Sequence, residues 1–161
     1  MERKINTKHL FKCLKNADYF GVVRDGENLL LYTNYMILSG EDMNVDKLIS
    51  KLIWSGDVKV GDTYRWGNFC IVKHYLQAKN ASKIYHKVIN EPRDKADFSY
   101  HASVSRSGNV IGYDFSVNGE TKILGTKLFK LFDNDKFEFA NESEAFIVDG
   151  KHIVKPVTIY R

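Results

Sequence analysis

Apolar residues recur at helical spacing near the start of the chain, where Leu10, Cys13, Leu14 and Ala17 share one side of a helix and Lys8, Lys12 and Lys15 share the other. With Asn6 or Thr7 as cap, the pattern predicts a helix to about residue 18, ended by Gly21. Alternation then takes over. "YFGVVRDGENLLLYTNYMIL" reads as two or three strands, with Asp25-Gly26 in a tight hairpin turn and Leu29, Leu31, Met36 and Leu38 facing inward. "NVDKLISKLIW" is a short second helix capped by Asn44, apolar at Leu48, Ile49, Leu52 and Ile53. "DVKVGDTYRWGNFCIVKHYL" returns to strands, broken at Gly61-Asp62 and Gly67-Asn68. A third helix, with Ile84, Val88 and Ile89 apolar, is expected from about Asn80 until Pro92 stops it.

From Phe98 the chain reads as an antiparallel meander, "FSYHASVS", "NVIGYDFSV" and "ETKIL", joined at Ser107-Gly108-Asn109 and at Asn118-Gly119. Gly125-Thr126 opens a short helix, "KLFKLF", and three further strands follow, with a turn at Asp149-Gly150 and an edge or irregularity at Pro156. The fold class is therefore α+β, mostly antiparallel sheets with helices at both ends. One internal echo stands out: "TKHLFK" from Thr7 and "TKLFK" from Thr126 agree once His9 is dropped.

At 161 residues the chain has the length of a single domain, and with 43% hydrophobic residues and two prolines it has the composition of a folded core. No stretch approaches the roughly 20 apolar residues that span a bilayer, and the N-terminus lacks the apolar segment of a secretory signal, so a cytoplasmic protein without membrane contact is expected. Cys13 and Cys70 lie in unrelated segments and read as buried free thiols. Lysine and arginine number 24 against 20 aspartates and glutamates, a bias that permits contact with nucleic acid and excludes a strongly acidic DNA mimic. The preference for Lys over Arg, with abundant Asn, Ile, Tyr and Phe, is the coding signature of an AT-rich genome, such as that of a low-GC bacterium or its phage.

Motifs for catalysis are missing: there is no phosphate-cradling G-x-x-x-x-G-K-[ST], no G-x-G-x-x-G and no H-E-x-x-H, so neither an enzyme nor a cofactor nor a metal is expected. His101, Ser103 and Ser105 share one face of a strand, which reads as a solvated polar face. The carboxylates of "GEDMNVD" read as loop and cap residues. Trp54, Tyr64, Trp66 and Tyr75 are candidate contacts to a partner protein, because aromatic side chains anchor interfaces.

The two ends of the chain resemble one domain of the DNA sliding clamps, of the bacterial beta clamp type. "GVVRDGENLLLYTNYMIL" after a helix is similar to that family's strand–turn–strand with D-G-x-L-x-L, and "LGTKLFKLFDNDKFEFANESEAFIVDGKHIVKPVTIYR" is similar to the helix, three strands and proline-bearing terminal strand that close its last domain. The resemblance implies a pseudo-two-fold unit in which two equivalent helices lie side by side over curved sheets. Residues 44–97 would form a divergent insertion. It also implies phosphate contacts to double-stranded DNA from Lys8, Lys12 and Lys15 on the first helix and Lys127 and Lys130 on the second. Clamps close as rings of about six domains with two or three in each chain, so single-domain chains would have to self-associate to close one. The expectation is a non-enzymatic, clamp-like accessory protein of a phage or mobile element, acting on DNA or on replication and repair proteins. The alternative is an anti-defence or host-takeover protein that inhibits a nuclease complex or polymerase by binding it.

Overall fold

The computed structural model describes residues 5–67, 69, 75–132 and 136–157, and of residues 75–79 the backbone alone. The first helix, α1 (Thr7–Asn16), starts where Asn6 accepts the N–H of His9 at 3.2 Å and buries Leu10, Cys13 and Leu14, as the spacing predicts. It ends before Gly21. That glycine lies instead inside strand β1 (Phe20–Asp25), opposite Tyr32 of β2 (Asn28–Thr33), and is needed for close approach: a Cβ there would sit 2.5 Å from the Asp62 carbonyl oxygen.

After β3 (Met36–Ser39) comes α2 (Met43–Trp54), capped by Asp42 rather than Asn44, since Asp42 Oδ1 accepts the N–H groups of Asn44 and Val45. A short β4 (Thr63–Tyr64) and helix α3 (Tyr75–Ile89) follow. Next are β5 (Arg93–Lys95), the meander β6 (Asp97–Val104), β7 (Val110–Val117) and β8 (Glu120–Gly125), then α4 (Thr126–Leu131) and β9 (Phe137–Ala140), β10 (Ala145–Val148) and β11 (His152–Val154). The Asn118-Gly119 turn takes the form expected, with both residues at positive φ between Val117 and Glu120.

Among the described residues eleven strands form two antiparallel sheets, and with four helices the fold is α+β as the pattern predicts. The larger sheet runs β4-β1-β2-β3-β11-β10-β9-β5. That order reads the same from both edges: α1 leads into β1, β2 and β3 toward the middle, and α4 leads into β9, β10 and β11 toward the same middle. The seam is the pair Ile37–Ile153. Counting outward along the registers, Leu38 corresponds to Val154, Leu31 to Phe146 and Val22 to Phe139, all on one face, while Leu30 corresponds to Ala145 and Val23 to Ala140 on the other.

The first face packs against α1, α2, α4 and the small β6-β7-β8 sheet in one core. Phe115 of β7 is its junction, with ring centroids 5.3 Å from Phe98, 4.8 Å from Phe137 and 5.3 Å from Phe146. The second face is covered by α3 through Ala81, Tyr85 and Val88, so both sides of the central strands are buried. Ile84, expected on the inner side of that helix, is 47% exposed. Asp25 holds α3 in place by accepting from Ser82 Oγ at 3.1 Å and lying 2.5 Å from His86 Nε2. Beside α3 a cavity of about 350 Å³ opens where the small Ala145 stands in place of a leucine.

The stretch expected to be an insertion supplies both edges of the large sheet, β4 and β5. Pro156 falls where the chain leaves β11, between Lys155 N–H on the Tyr35 carbonyl and Val157 N–H on that of Ile123 in β8. A residue without an N–H suits that crossing between sheets.

Phe115→Ala should remove about 3–5 kcal/mol of stability by opening a cavity in the aromatic junction. Denaturant unfolding measures the loss, and amide exchange should rise first in β6, β7 and β8 if the small sheet is held through this ring.

Candidate nucleic-acid interface

Helices α1 and α4 lie side by side and antiparallel. The N–H of Asn6, at the start of one, donates to the Leu131 carbonyl at the end of the other at 3.0 Å. Cys13 Sγ stands 3.9 Å from the Lys127 carbonyl at the opposite end. Tyr35 adds an anchor, its hydroxyl donating to the Cys13 carbonyl. Cys13 is a buried free thiol, and burial pushes its ionisation up to about 11, so it packs rather than reacts. Cys70 lies outside the described residues.

The echo in the sequence is an echo in burial. Leu10 and Leu128 are buried, Phe11 and Phe129 half-buried, Lys12 and Lys130 exposed, then Cys13 and Leu131, and Leu14 and Phe132, are buried again. Each half-buried phenylalanine leans on aromatic rings from flanking segments: Phe11 on Trp66 at 5.9 Å, and Phe129 on Tyr113 at 4.2 Å and Phe98 at 5.1 Å between centroids. The lysines follow from this packing. With one stripe of each helix spent on the sheet and another on its neighbour, Lys8, Lys12, Lys15, Lys127 and Lys130 are left exposed, and among the described residues none of them forms an ion pair. Lys51 of α2 also reaches this side, its Nζ 5.9 Å from the centre of the Phe11 ring.

His9 belongs to the same group. It is partly exposed, and its proton affinity is lowered by partial desolvation and by the charges of Lys12, Lys130 and Lys8. Lys130 is on the other helix, so basic groups from α1 and α4 converge here. Neither His9 nor Lys51 belongs to the basic residues that the sequence pattern marks as candidate contacts. Helical counting could have found His9, because an uninterrupted helix cannot skip a residue and the residue before the shared Leu-Phe-Lys is His9 in one copy and Lys127 in the other.

The aromatic candidates do not form one surface. Trp54, at the end of α2, is 87% exposed, whereas Tyr64 is 4% exposed and cannot be a contact residue. Its hydroxyl accepts the Lys59 N–H at 2.9 Å, and its ring packs 6.1 Å from Phe20. Trp66 is half-buried against Phe11, Phe20 and Phe69, a prop for α1 rather than a free anchor. Tyr75 begins α3, and its side chain lies outside the described residues. Tyr100, absent from those candidates, is 85% exposed at an irregularity of β6.

Elsewhere the polar clusters are structural. Ser103 Oγ donates to Asp114 at 2.6 Å, and Asp42 caps α2 while its Oδ2 accepts the Ile5 N–H at 2.9 Å. Among the described residues no three His, Cys, Asp or Glu side chains gather as a metal site, and no helix is long and apolar enough to cross a membrane. Compared with known proteins, the chain matches no family model, no curated protein and no solved structure.

His152 is the exception in the core. Fully buried on β11, it accepts the Ser39 N–H on Nδ1 at 3.0 Å, which places its proton on Nε2. Among the described residues Nε2 has no hydrogen-bond partner, and it stands 3.9 Å from Asp42 Oδ2. Burial, reinforced by Lys151, pushes its pKa down to about 3. In the unfolded chain the same ring would take a proton near its ordinary value, so the folded state loses stability as pH falls below about 6.5, by at most ~1.4 kcal/mol per pH unit from this group. Urea midpoints measured from pH 7 down to pH 4 should fall less steeply for His152→Leu than for the parent, and equal slopes would exclude His152 as the cause.

Proposed function

We propose that this chain is a clamp-like, non-enzymatic accessory protein of a phage or mobile element, holding double-stranded DNA through sequence-independent phosphate contacts in replication or repair. The observation that carries the reading is the α1–α4 pair, antiparallel and side by side over a pseudo-two-fold sheet, with Lys8, Lys12, Lys15, Lys127 and Lys130 exposed. Five ammonium groups on neighbouring helices, with no ion-pair partner among the described residues, repel one another in the free protein. A polyanion removes that repulsion and releases its own counterions, so affinity should fall steeply with salt.

The double variant Lys12→Glu/Lys130→Glu tests it. Both side chains are exposed, so the fold should survive, as an unchanged unfolding midpoint would verify. At about 0.1 M salt the variant should bind a duplex of about 20 bp at least ~10-fold more weakly, and its log–log salt slope should be shallower by about two. Unchanged affinity would remove the DNA reading.

A second reading is favoured by Trp54, 87% exposed on the end of α2 with no packing role of its own. An aromatic so placed suits an anchor for a protein partner, and the function would then be host takeover or anti-defence, by blocking a nuclease complex or polymerase. Wild-type protein should then retain such a partner from host lysate while Trp54→Ala does not, and equal recovery would count against it.

A further inference from the structure

We propose that His9 is the fourth corner of a four-point anion seat formed with Lys12, Lys127 and Lys130, and that it takes up a proton when phosphates dock there. The inference rests on the DNA reading above and adds to it a residue and a pH dependence.

The geometry comes from the pseudo-two-fold. Equating Leu10-Phe11-Lys12 with Leu128-Phe129-Lys130, as their matching burial requires, makes His9 the counterpart of Lys127. Each helix therefore carries a basic pair three residues apart, His9 with Lys12 and Lys127 with Lys130, on the side that turns away from the sheet. The helices run antiparallel, so each pair faces the other across the crossing. Lys130 acts on His9 from one side, and on the other Lys127 lies beside Cys13, the neighbour of Lys12. The result is a basic quadrilateral centred near Leu10 and Leu128, with three permanent charges and one conditional charge.

The charged groups around His9 are Lys8 and Lys12 on its own helix and Lys130 on α4. Helix α2 approaches α1 through Asp42 and Asn44, whose side chains are engaged by the Ile5 backbone, and through Lys51 over Phe11. Among the described residues no carboxylate forms an ion pair with His9. In the free protein these surroundings hold its proton affinity below the ordinary value. Phosphates reverse the sign of the local field and offer acceptors to the ring, so the imidazolium is favoured in the complex. Binding and protonation then strengthen each other by the same factor. Affinity rises as pH falls through the window between the free and bound values, by at most ~10-fold per pH unit, and is flat outside it.

The experiment is binding of a duplex of about 20 bp at constant ionic strength between about pH 8 and pH 5.5, with wild type, His9→Lys and His9→Gln. Wild-type affinity should climb on acidification. His9→Lys should bind more tightly than wild type at the alkaline end and lose the climb, and His9→Gln should lose the climb while remaining weak. Calorimetry in two buffers of different ionisation enthalpy should register proton uptake for wild type and none for either variant. If all three proteins bind DNA with the same pH profile, the seat does not include His9 and the DNA reading stands without it. If none binds DNA at any pH, the inference falls together with that reading.

Discussion

Everything that joins the two ends of this chain depends on the antiparallel pairing of β3 with β11, at Ile37–Ile153 and Met36–Val154. Those strands come from opposite ends of the sequence, and only their pairing fuses two hairpin halves into one sheet with a pseudo-two-fold at its centre. The seam is locked from both faces. Ile37 and Ile153 enter the core under α3, while Leu38 and Val154 enter the core under α1 and α4. His152 adds a hydrogen bond across it to the Ser39 N–H, a geometry that keeps the imidazole neutral. The entropy of closing the intervening chain grows only slowly with its length. That is why α2, β4, α3, β5 and the small sheet can be accommodated between the halves, and why two of those additions become edge strands of the sheet they interrupt.

Closing the seam has an electrostatic consequence. It brings α1 against α4, and because each helix spends its apolar stripes on the sheet and on its neighbour, the lysines of both are left on the free side. Packing is favourable there and charge is not. The same contact that buries Leu10, Cys13 and Leu131 brings the charge of Lys130 to bear on His9, whose proton affinity is lowered by partial desolvation, by Lys12 and by Lys130. Like charges held this close repel one another in the free protein, and counterions offset part of that cost.

Aromatic residues show how far side-chain type alone can be read. Trp54, Tyr64 and Trp66 are alike as candidate anchors along the chain, but they have three different fates. Trp54 ends a helix and projects into solvent. Tyr64 pairs with β1 at the edge of the sheet and is drawn under Phe20, and Trp66 props Phe11. The difference lies in what each meets across the fold, and no local pattern encodes it. The caps divide in the same way. Asn6 is recognisable because the apolar period starts just after it, whereas Asp42 wins over Asn44 because its second oxygen is also claimed by the distant Ile5 N–H.

The sequence by itself determined the α+β class, the apolar faces of α1 and α2, the Asn118-Gly119 hairpin and the Leu-Phe-Lys echo, because each follows from spacing and backbone preference within a few residues. Only the tertiary structure decided that the second face of the central strands would be buried, since that depends on α3 crossing back over them. It alone made Gly21 a point of close approach inside a strand rather than a helix stop. It also settled the meaning of the echo. In the letters His9 is an interruption to be dropped; in a continuous helix packed against its counterpart it occupies the place of Lys127, because hydrogen-bonded turns admit no gaps.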